Sequence, residues 1–545
     1  MRLRYAIGRL VTAALCGVGI VSLVTFVDAQ SGRRDTVHVP SAKRGRAPTD
    51  TFTRMFPDLP AFVAATEDAR QRAQRLGELE GLLNAGDVLS DPVQSVLNPA
   101  VFSPNNPDNP AMTAGLTFLG QFLDHDITLD LRSPFSEPSD PTTTKNFRTA
   151  AFDLDSVYGD GPKGSAELYG TGAADIKFRV EAIPGAEAQS RLSAPRFDVP
   201  READGVATIA DSRNDEHVIL SQLHMAMLRF HNAVVDHMRA TPALANAPAS
   251  RVFERAQRLV RWHYQWIVVH EFLPATIGQE RLDALLREGG GRDQPERGGQ
   301  SGRLRDQRRS PKIPIEFSVA AYRFGHSQVR PSYRLNFGPD GGAPFFAFVF
   351  DDSLNPADAD PEDLRGGRRA ARRFVDWQTF FDFGDGNVRP NKRIDSKLSS
   401  VLMLLPGSRL PEPGLPSDGV QSLASRNLVR HVNFGLPSGQ AIAATLGLPV
   451  LTAEQLTAYQ PSGFDRSTPL WLYILKEAEV LEQGLRLGPV GSHIVGTVFL
   501  ELLKGDPSSY FAAERSWRPT LPAASPGTFR MTDLLRFAGV VPPLN

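Results

Sequence analysis

Cysteine is almost missing. The 545-residue chain has one, Cys16, inside an apolar N-terminal run. That excludes a disulfide framework, a thiolate zinc site, an iron–sulfur cluster, a CxxCH attachment site and a cysteine nucleophile in the body of the protein. A basic excess is missing too. Lys and Arg number 60 against 61 Asp and Glu, giving a formal net charge of −1 and arguing against broad nucleic-acid binding. With 41% hydrophobic residues and 32 Phe, the chain is not globally disordered and is long enough to bury a sizeable core. Beyond the N-terminus no apolar run reaches the length of a spanning helix. Alternating strand patterns are scarce, and there is no internal repeat.

Arg2, Arg4 and Arg9 make a basic start, Leu10 to Val27 carries no charge, and Asp28-Ala29-Gln30 follows as a loose small-residue region. Residues 1–29 read as a secretory signal peptide or an uncleaved N-terminal anchor. Residues 30–50 read as a polar, basic linker. Residues 51–545 are expected to form one large, mainly α-helical domain. Helices are expected over 58–95, Ala111 to Leu129, Val218 to Met238, and Phe253 to Leu273 with a stop near Pro274. Further helical patterns cover 392–405, 420–432, 453–459, 470–483 and 489–504. Segments 98–110 and 133–143 read as loops. Residues 289–311, rich in Gly and Arg, read as an insertion that cannot bury a core.

A polar cluster, Asp124-His125-Asp126, interrupts the apolar run after Gly120-Gln121-Phe122-Leu123. On a helix Gln121 and His125 share a face. Asp126, rotated about 100° away, must serve another site. The triplet alone fits the metal pair of an HD-type hydrolase or a capping cluster equally well. Further motifs follow in order: Asp211-Ser212-Arg213-Asn214-Asp215-Glu216 with Leu228-Arg229-Phe230-His231-Asn232; Ala321-Tyr322-Arg323-Phe324-Gly325-His326-Ser327; and Arg426-Asn427-Leu428-Val429-Arg430 ending in Gly435-Leu436-Pro437. Together, from about residue 50 to the C-terminus, these resemble the animal haem peroxidase superfamily, the group of myeloperoxidase, peroxinectin and the cyclooxygenases, and suggest a bacterial-type member.

The resemblance implies a bound haem b and assigns roles. His125 is the distal base, suited because imidazole titrates near neutrality. Arg213 is the fixed cation beside the departing oxygen. Gln121 holds a distal water or halide. His326 is the fifth iron ligand, with Asn427 as acceptor for its other ring N–H. Arg323 and Arg430 pair with the propionates. Asp124 and Glu216 match the positions that form ester bonds to haem in mammalian members. The methionine of an additional sulfonium link has no match, since His217 follows Glu216. Asp126, Thr149, Asp153 and Asp155 make a hard oxygen cluster suited to Ca²⁺, with Asp153 and Asp155 on one side of an extended loop. By resemblance the Ala151 carbonyl is a further ligand. His224 and His231 read as structural; His263, His270 and His431 read as packing or surface residues.

These residues describe an exported peroxidase that reduces hydrogen peroxide and oxidises a halide or small organic donor. They imply no nucleic-acid partner and no membrane contact beyond an N-terminal anchor, and leave the oligomeric state open. Three rivals remain. A fatty-acid dioxygenase of the same fold needs a Tyr near Asp376 to Phe381, and there is none between Tyr333 and Tyr459, although Trp377 could carry a radical. A degenerate adhesion or binding protein would not keep His125, Arg213, His326 and Asn427 together. An HD-type hydrolase leaves Arg213 and the His326 motif unexplained.

Overall fold

The computed structural model describes residues 50–541 except 102, 131–132, 173–174, 289–310, 356 and 407–419, plus the backbone of Leu23–Val27 and Arg34–His38, an antiparallel strand pair. The leader or anchor over 1–29, the linker over 30–50 and the insertion over 289–311 fall almost wholly outside those residues.

The described chain is mainly helical, and its strands form only two-stranded ribbons. The first long helix, α1 (Glu67–Leu76), starts where Thr66 accepts a hydrogen bond from the Ala69 amide and two acids occupy the first turn. It buries Ala69, Ala73 and Leu76. The expected helix over 58–95 is therefore shortened. Gly77, Gly81 and Gly86 punctuate the chain after α1, and helix returns only for Gln94–Leu97.

The next long helix, α2 (Ala114–Ile127), is buried along most of its length. Behind it run α3 (Val218–Arg239) and α4 (Ala249–Ile267). Pro274 does not stop α4. The helix widens into a π-turn over Val268–Phe272, and Pro274 sits in the first turn of Leu273–Ile277, where a missing N–H costs nothing. A 3₁₀ segment, Ala321–Gln328, packs on α2 through Tyr322, whose hydroxyl donates to the Gly120 carbonyl at 3.1 Å. Helices α5 (Leu423–Asn433), α6 (Leu470–Glu482) and α7 (Pro489–Gly505) complete the core. Residues 453–459 yield only a 3₁₀ turn, Thr457–Ser462.

Residues 392–405 are not helical. Pro390–Lys392 pairs with strand Asp108–Thr113, and only Ser400–Leu402 makes a 3₁₀ turn. The Asp395 carboxylate accepts the Lys397 amide at 2.8 Å and the buried Lys392 ammonium at 2.6 Å. Such local side-chain bonds compete with helix formation. Among the described residues no helix is long and apolar enough to cross a membrane.

Candidate active site

Less than two turns of α2 present four polar groups, Gln121, Asp124, His125 and Asp126, to different partners, because successive side chains point about 100° apart. Gln121 reaches the start of α3. There the Nδ1 of His217 accepts the Leu220 amide at 3.2 Å, capping the helix. Its Nε2–H is therefore the donor to Gln121 Oε1, at 3.0 Å. That orients the Gln121 amide so that its Nε2 donates to Glu216 Oε2 at 3.0 Å. Desolvation pushes the Glu216 carboxyl up to about 7, against the pull of Arg213.

His125 is buried. Its Nδ1 lies 2.9 Å from Asn214 Oδ1, while Asn214 Nδ2 lies 3.0 Å from the Nδ1 of His224. The oxygen end of the amide can only accept, so His125 carries its proton on Nδ1 and leaves Nε2 with a lone pair. Among the described residues no partner meets that Nε2. Burial and then the Arg213 charge hold His125 down to about 3. Its imidazole is thus a neutral group able to take a proton.

Arg213 lies beside it, donating from Nη2 to the His125 carbonyl at 3.0 Å. It sits on a short 3₁₀ turn, Ser212–Asp215, capped by the Asp211 side chain. Gly366 seals this turn from behind: a Cβ there would lie 1.5 Å from the Asp215 carbonyl oxygen. Asp124, one residue before His125, takes Thr128 Oγ1 at 2.9 Å. Burial raises its carboxyl, and the charges of Arg213 and Arg323 both oppose that rise. One carboxyl therefore lies within electrostatic reach of both motif arginines.

The second imidazole, His326, is held by the 3₁₀ segment packed on α2. Its Nδ1 lies 2.8 Å from Asn427 Nδ2, and Arg323 donates to Asn427 Oδ1 at 2.7 Å. The expected pairing of His326 with Asn427 is present, but Arg323 takes the amide oxygen. In this arrangement the His326 proton sits on Nε2. An iron ligand needs it on Nδ1, so Arg323 must release that oxygen first. Arg430 is tied to Asp130 at 3.1 Å.

Asp126 turns away from His125, as the helical spacing requires. It accepts Ser156 Oγ at 3.1 Å, Tyr264 OH at 3.2 Å and the Leu154 amide at 3.2 Å. Asp126, Asp153 and Asp155, all buried, bring one carboxylate oxygen each within 4.8 Å of one another. The loop is not extended as expected. Leu154 adopts φ 57°, a left-handed conformation rare for leucine, and this kink aims both neighbours at Asp126. Thr149 Oγ1 donates to Asp155 Oδ2 at 3.0 Å. Ala151 is buried in the same loop. Burial and mutual repulsion raise Asp126 well above the usual carboxylate range. Asp155 Oδ1 accepts no hydrogen bond. Such a set of hard oxygens fits a divalent cation.

Sequence reasoning missed Asn214, His224, His217, Tyr264, Arg148 and Asp211 as parts of this site. Asn214 and Asp211 flank Arg213 inside a recognised motif, which was the available signal. His231 is structural as expected, bonded to Tyr158 OH at 3.0 Å and to the Ile176 carbonyl at 2.9 Å. His263 and His431 are buried in the packing.

Residues 131–344 match the animal haem peroxidase family model, a stretch that holds Arg213, Glu216, His326 and the Thr149–Asp155 loop. The chain is 27% identical to thyroid peroxidase of Homo sapiens over 36% of its own length and 21% of that protein. It is 26% identical to a peroxidase-like protein of Margaritifera margaritifera over 69% of its length and 46% of that protein. It thus spans less than half of these curated relatives. Peroxidase A from Dictyostelium discoideum superposes with a TM-score of 0.53 at 17% identity, over 84% of this chain and 88% of that one. A fatty acid alpha-dioxygenase of Oryza sativa superposes with a TM-score of 0.50 at 14% identity, over 82% and 76%. At such identities these two establish the shared mainly α fold.

Proposed function

We propose that this chain, whose residues 131–344 belong to the animal haem peroxidase family, is an exported peroxidase that reduces hydrogen peroxide and oxidises a halide or small organic donor. The observation that carries the reading is the surroundings of Asp124. It lies next to His125, whose carbonyl accepts Arg213 Nη2 at 3.0 Å, and four residues after Gly120, whose carbonyl accepts the hydroxyl of Tyr322, four residues before His326, at 3.1 Å. Three separated motifs thereby converge on one place.

The donor set suits a haem b. His326 would hold the iron, Arg323 and Arg430 would meet the propionates, and Asp124 and Glu216 are the candidates for ester bonds. When bound, haem supplies an iron centre that receives the peroxide and exchanges electrons. His125 Nε2 takes the proton from the peroxide's near oxygen and returns it to the far oxygen, which leaves as water. Arg213 stabilises the charge that builds on that departing oxygen. Gln121 has one amide N–H left after serving Glu216, enough to hold a water or a halide. Asp126, Thr149, the Ala151 carbonyl, Asp153 and Asp155 would hold Ca²⁺ directly behind His125.

Purified protein should show a Soret band and oxidise a generic phenol only when peroxide is added. Absence of haem after expression with a haem supply would end the reading. The rival dioxygenase activity is tested by oxygen uptake with a long-chain fatty acid. By resemblance that chemistry needs a tyrosine near Asp376 to Phe381, and there is none between Tyr333 and Tyr459, so no uptake is expected.

A further inference from the structure

Four charges, three of them buried, form a line from the carboxylate cluster to the distal arginine. Arg213 meets Asp211 with two atoms, Nε to Oδ1 at 3.1 Å and Nη2 to Oδ2 at 2.8 Å. Arg148 grips the same Oδ2 from the other side, with Nε at 2.9 Å and Nη2 at 2.5 Å. The Nη1 of Arg148 then lies 3.7 Å from Asp155 Oδ1. Arg148 is 1% exposed and Asp211 0%. Nothing in the peroxidase chemistry above uses either residue.

We infer that Arg148 and Asp211 are positioning residues that hold Arg213 over the His125 face and tie that hold to the Asp126–Asp153–Asp155 cluster. The inference rests on the peroxidase reading only for what Arg213 does.

The physical argument has three parts. A buried charge left without an opposite charge beside it is strongly destabilising, so the signs must alternate along the line. Asp211 supplies the alternation. Burial alone would raise its carboxyl, but Arg148 and Arg213 override this and hold it well below the usual range. Second, the line ends on three buried carboxylates, Asp126, Asp153 and Asp155, whose hard oxygens converge as a divalent cation requires. Third, Arg148 is shared. Without a cation, Asp155 competes with Asp211 for it. With a cation on the cluster, Asp155 has its own partner and Arg148 turns its full charge to Asp211, which tightens the hold on Arg213. Arg148 and Thr149 are neighbours, so one stretch of backbone sets both contacts to Asp155.

The test uses the ferric holoprotein with cyanide, an anion whose binding beside the iron senses Arg213 but involves no turnover. Asp211→Asn and Arg148→Met are each expected to weaken cyanide binding about ten-fold, within the usual range of coupling between sites. Arg148→Lys, which keeps the charge, should recover part of it. Chelation of divalent cations should weaken cyanide binding in the parent protein and have no further effect in Arg148→Met. Unchanged affinity in Asp211→Asn overturns the positioning role, and an equal chelation effect in Arg148→Met overturns the tie to the cluster. Should Arg148→Met not fold, Arg148→Lys and Asp211→Asn still decide. If the parent protein binds no haem, the peroxidase reading fails instead. The line is then judged on the apoprotein by a double-mutant cycle of thermal unfolding between positions 148 and 213, where strict additivity overturns it.

Discussion

His125 donates its Nδ1 proton to Asn214 at 2.9 Å because the other end of that amide is committed to His224. The tautomer of the proposed base is therefore set by an uncharged residue that stands between two charged ones, Arg213 and Asp215. Asn214→Ala removes the acceptor and lets the proton move to Nε2. The spectral change after peroxide addition should slow about ten- to a hundred-fold while KM for the donor holds. Asn214→Asp should recover much of the loss, since a carboxylate also accepts from Nδ1. Equal rates for Asn214→Ala and the parent would place the control of the tautomer elsewhere.

Removing the base itself is more severe. His125→Ala should slow the same spectral change about 10²–10⁴-fold with haem still bound. A variant that kept the full rate would dismiss His125 as the base.

Acid should leave the base intact over a wide range. Burial and Arg213 hold His125 down to about 3. A group lowered that far stays neutral, and able to accept a proton, above about pH 4. The rate of the peroxide-driven change should then be level between about pH 5 and 8. It is best measured in Glu216→Gln, because the Glu216 carboxyl titrates at about 7. An acid limb centred near the ordinary imidazole value of about 6.5 would contradict the assignment.

His326→Gly should purify without a Soret band, and added imidazole should restore one by filling the cavity that the deleted side chain leaves. Retention of the parent spectrum without imidazole would mean a different ligand.

Chelation should lower the unfolding temperature and disturb the Soret band. A cation bound a hundred-fold above its Kd contributes about 2.7 kcal/mol. Asp126→Asn should abolish most of this response. No response in the parent protein would show that the cluster stands without an ion.

Gly366→Ala tests the support behind Arg213 and Glu216. The new methyl would fall 1.5 Å from the Asp215 carbonyl oxygen, and backbone cannot yield as a flexible side chain can. A loss of about 2–3 kcal/mol is expected, with a larger effect on peroxide reactivity than on haem content.

The readable and unreadable parts of this molecule differ in kind. Helices α2, α3, α6 and α7 follow apolar spacing and were legible, as was the departure of Asp126 from the His125 face. Two of the departures, over 58–95 and 392–405, arise from glycine punctuation and from Asp395 binding a nearby backbone amide, both stronger than a weak apolar period. In the site, motif order located His125, Arg213, His326 and the acidic loop. It could not supply the pairings. That Asn214 serves His125, that Arg323 takes the Asn427 oxygen, and that Leu154 turns left-handed depend on segments folded together from distant parts of the chain. Arg148 could not be foreseen, because its value lies in standing between Asp155 and Asp211, residues 63 positions apart from it in one case.

Positions 121 to 126 form six consecutive residues with four separate obligations. Inserting or deleting one residue there would swing everything beyond it by about 100°. The base, the ester candidate and the cation ligand would all be misdirected together. This stretch therefore cannot change in length, and gains and losses of residues are tolerated only outside it.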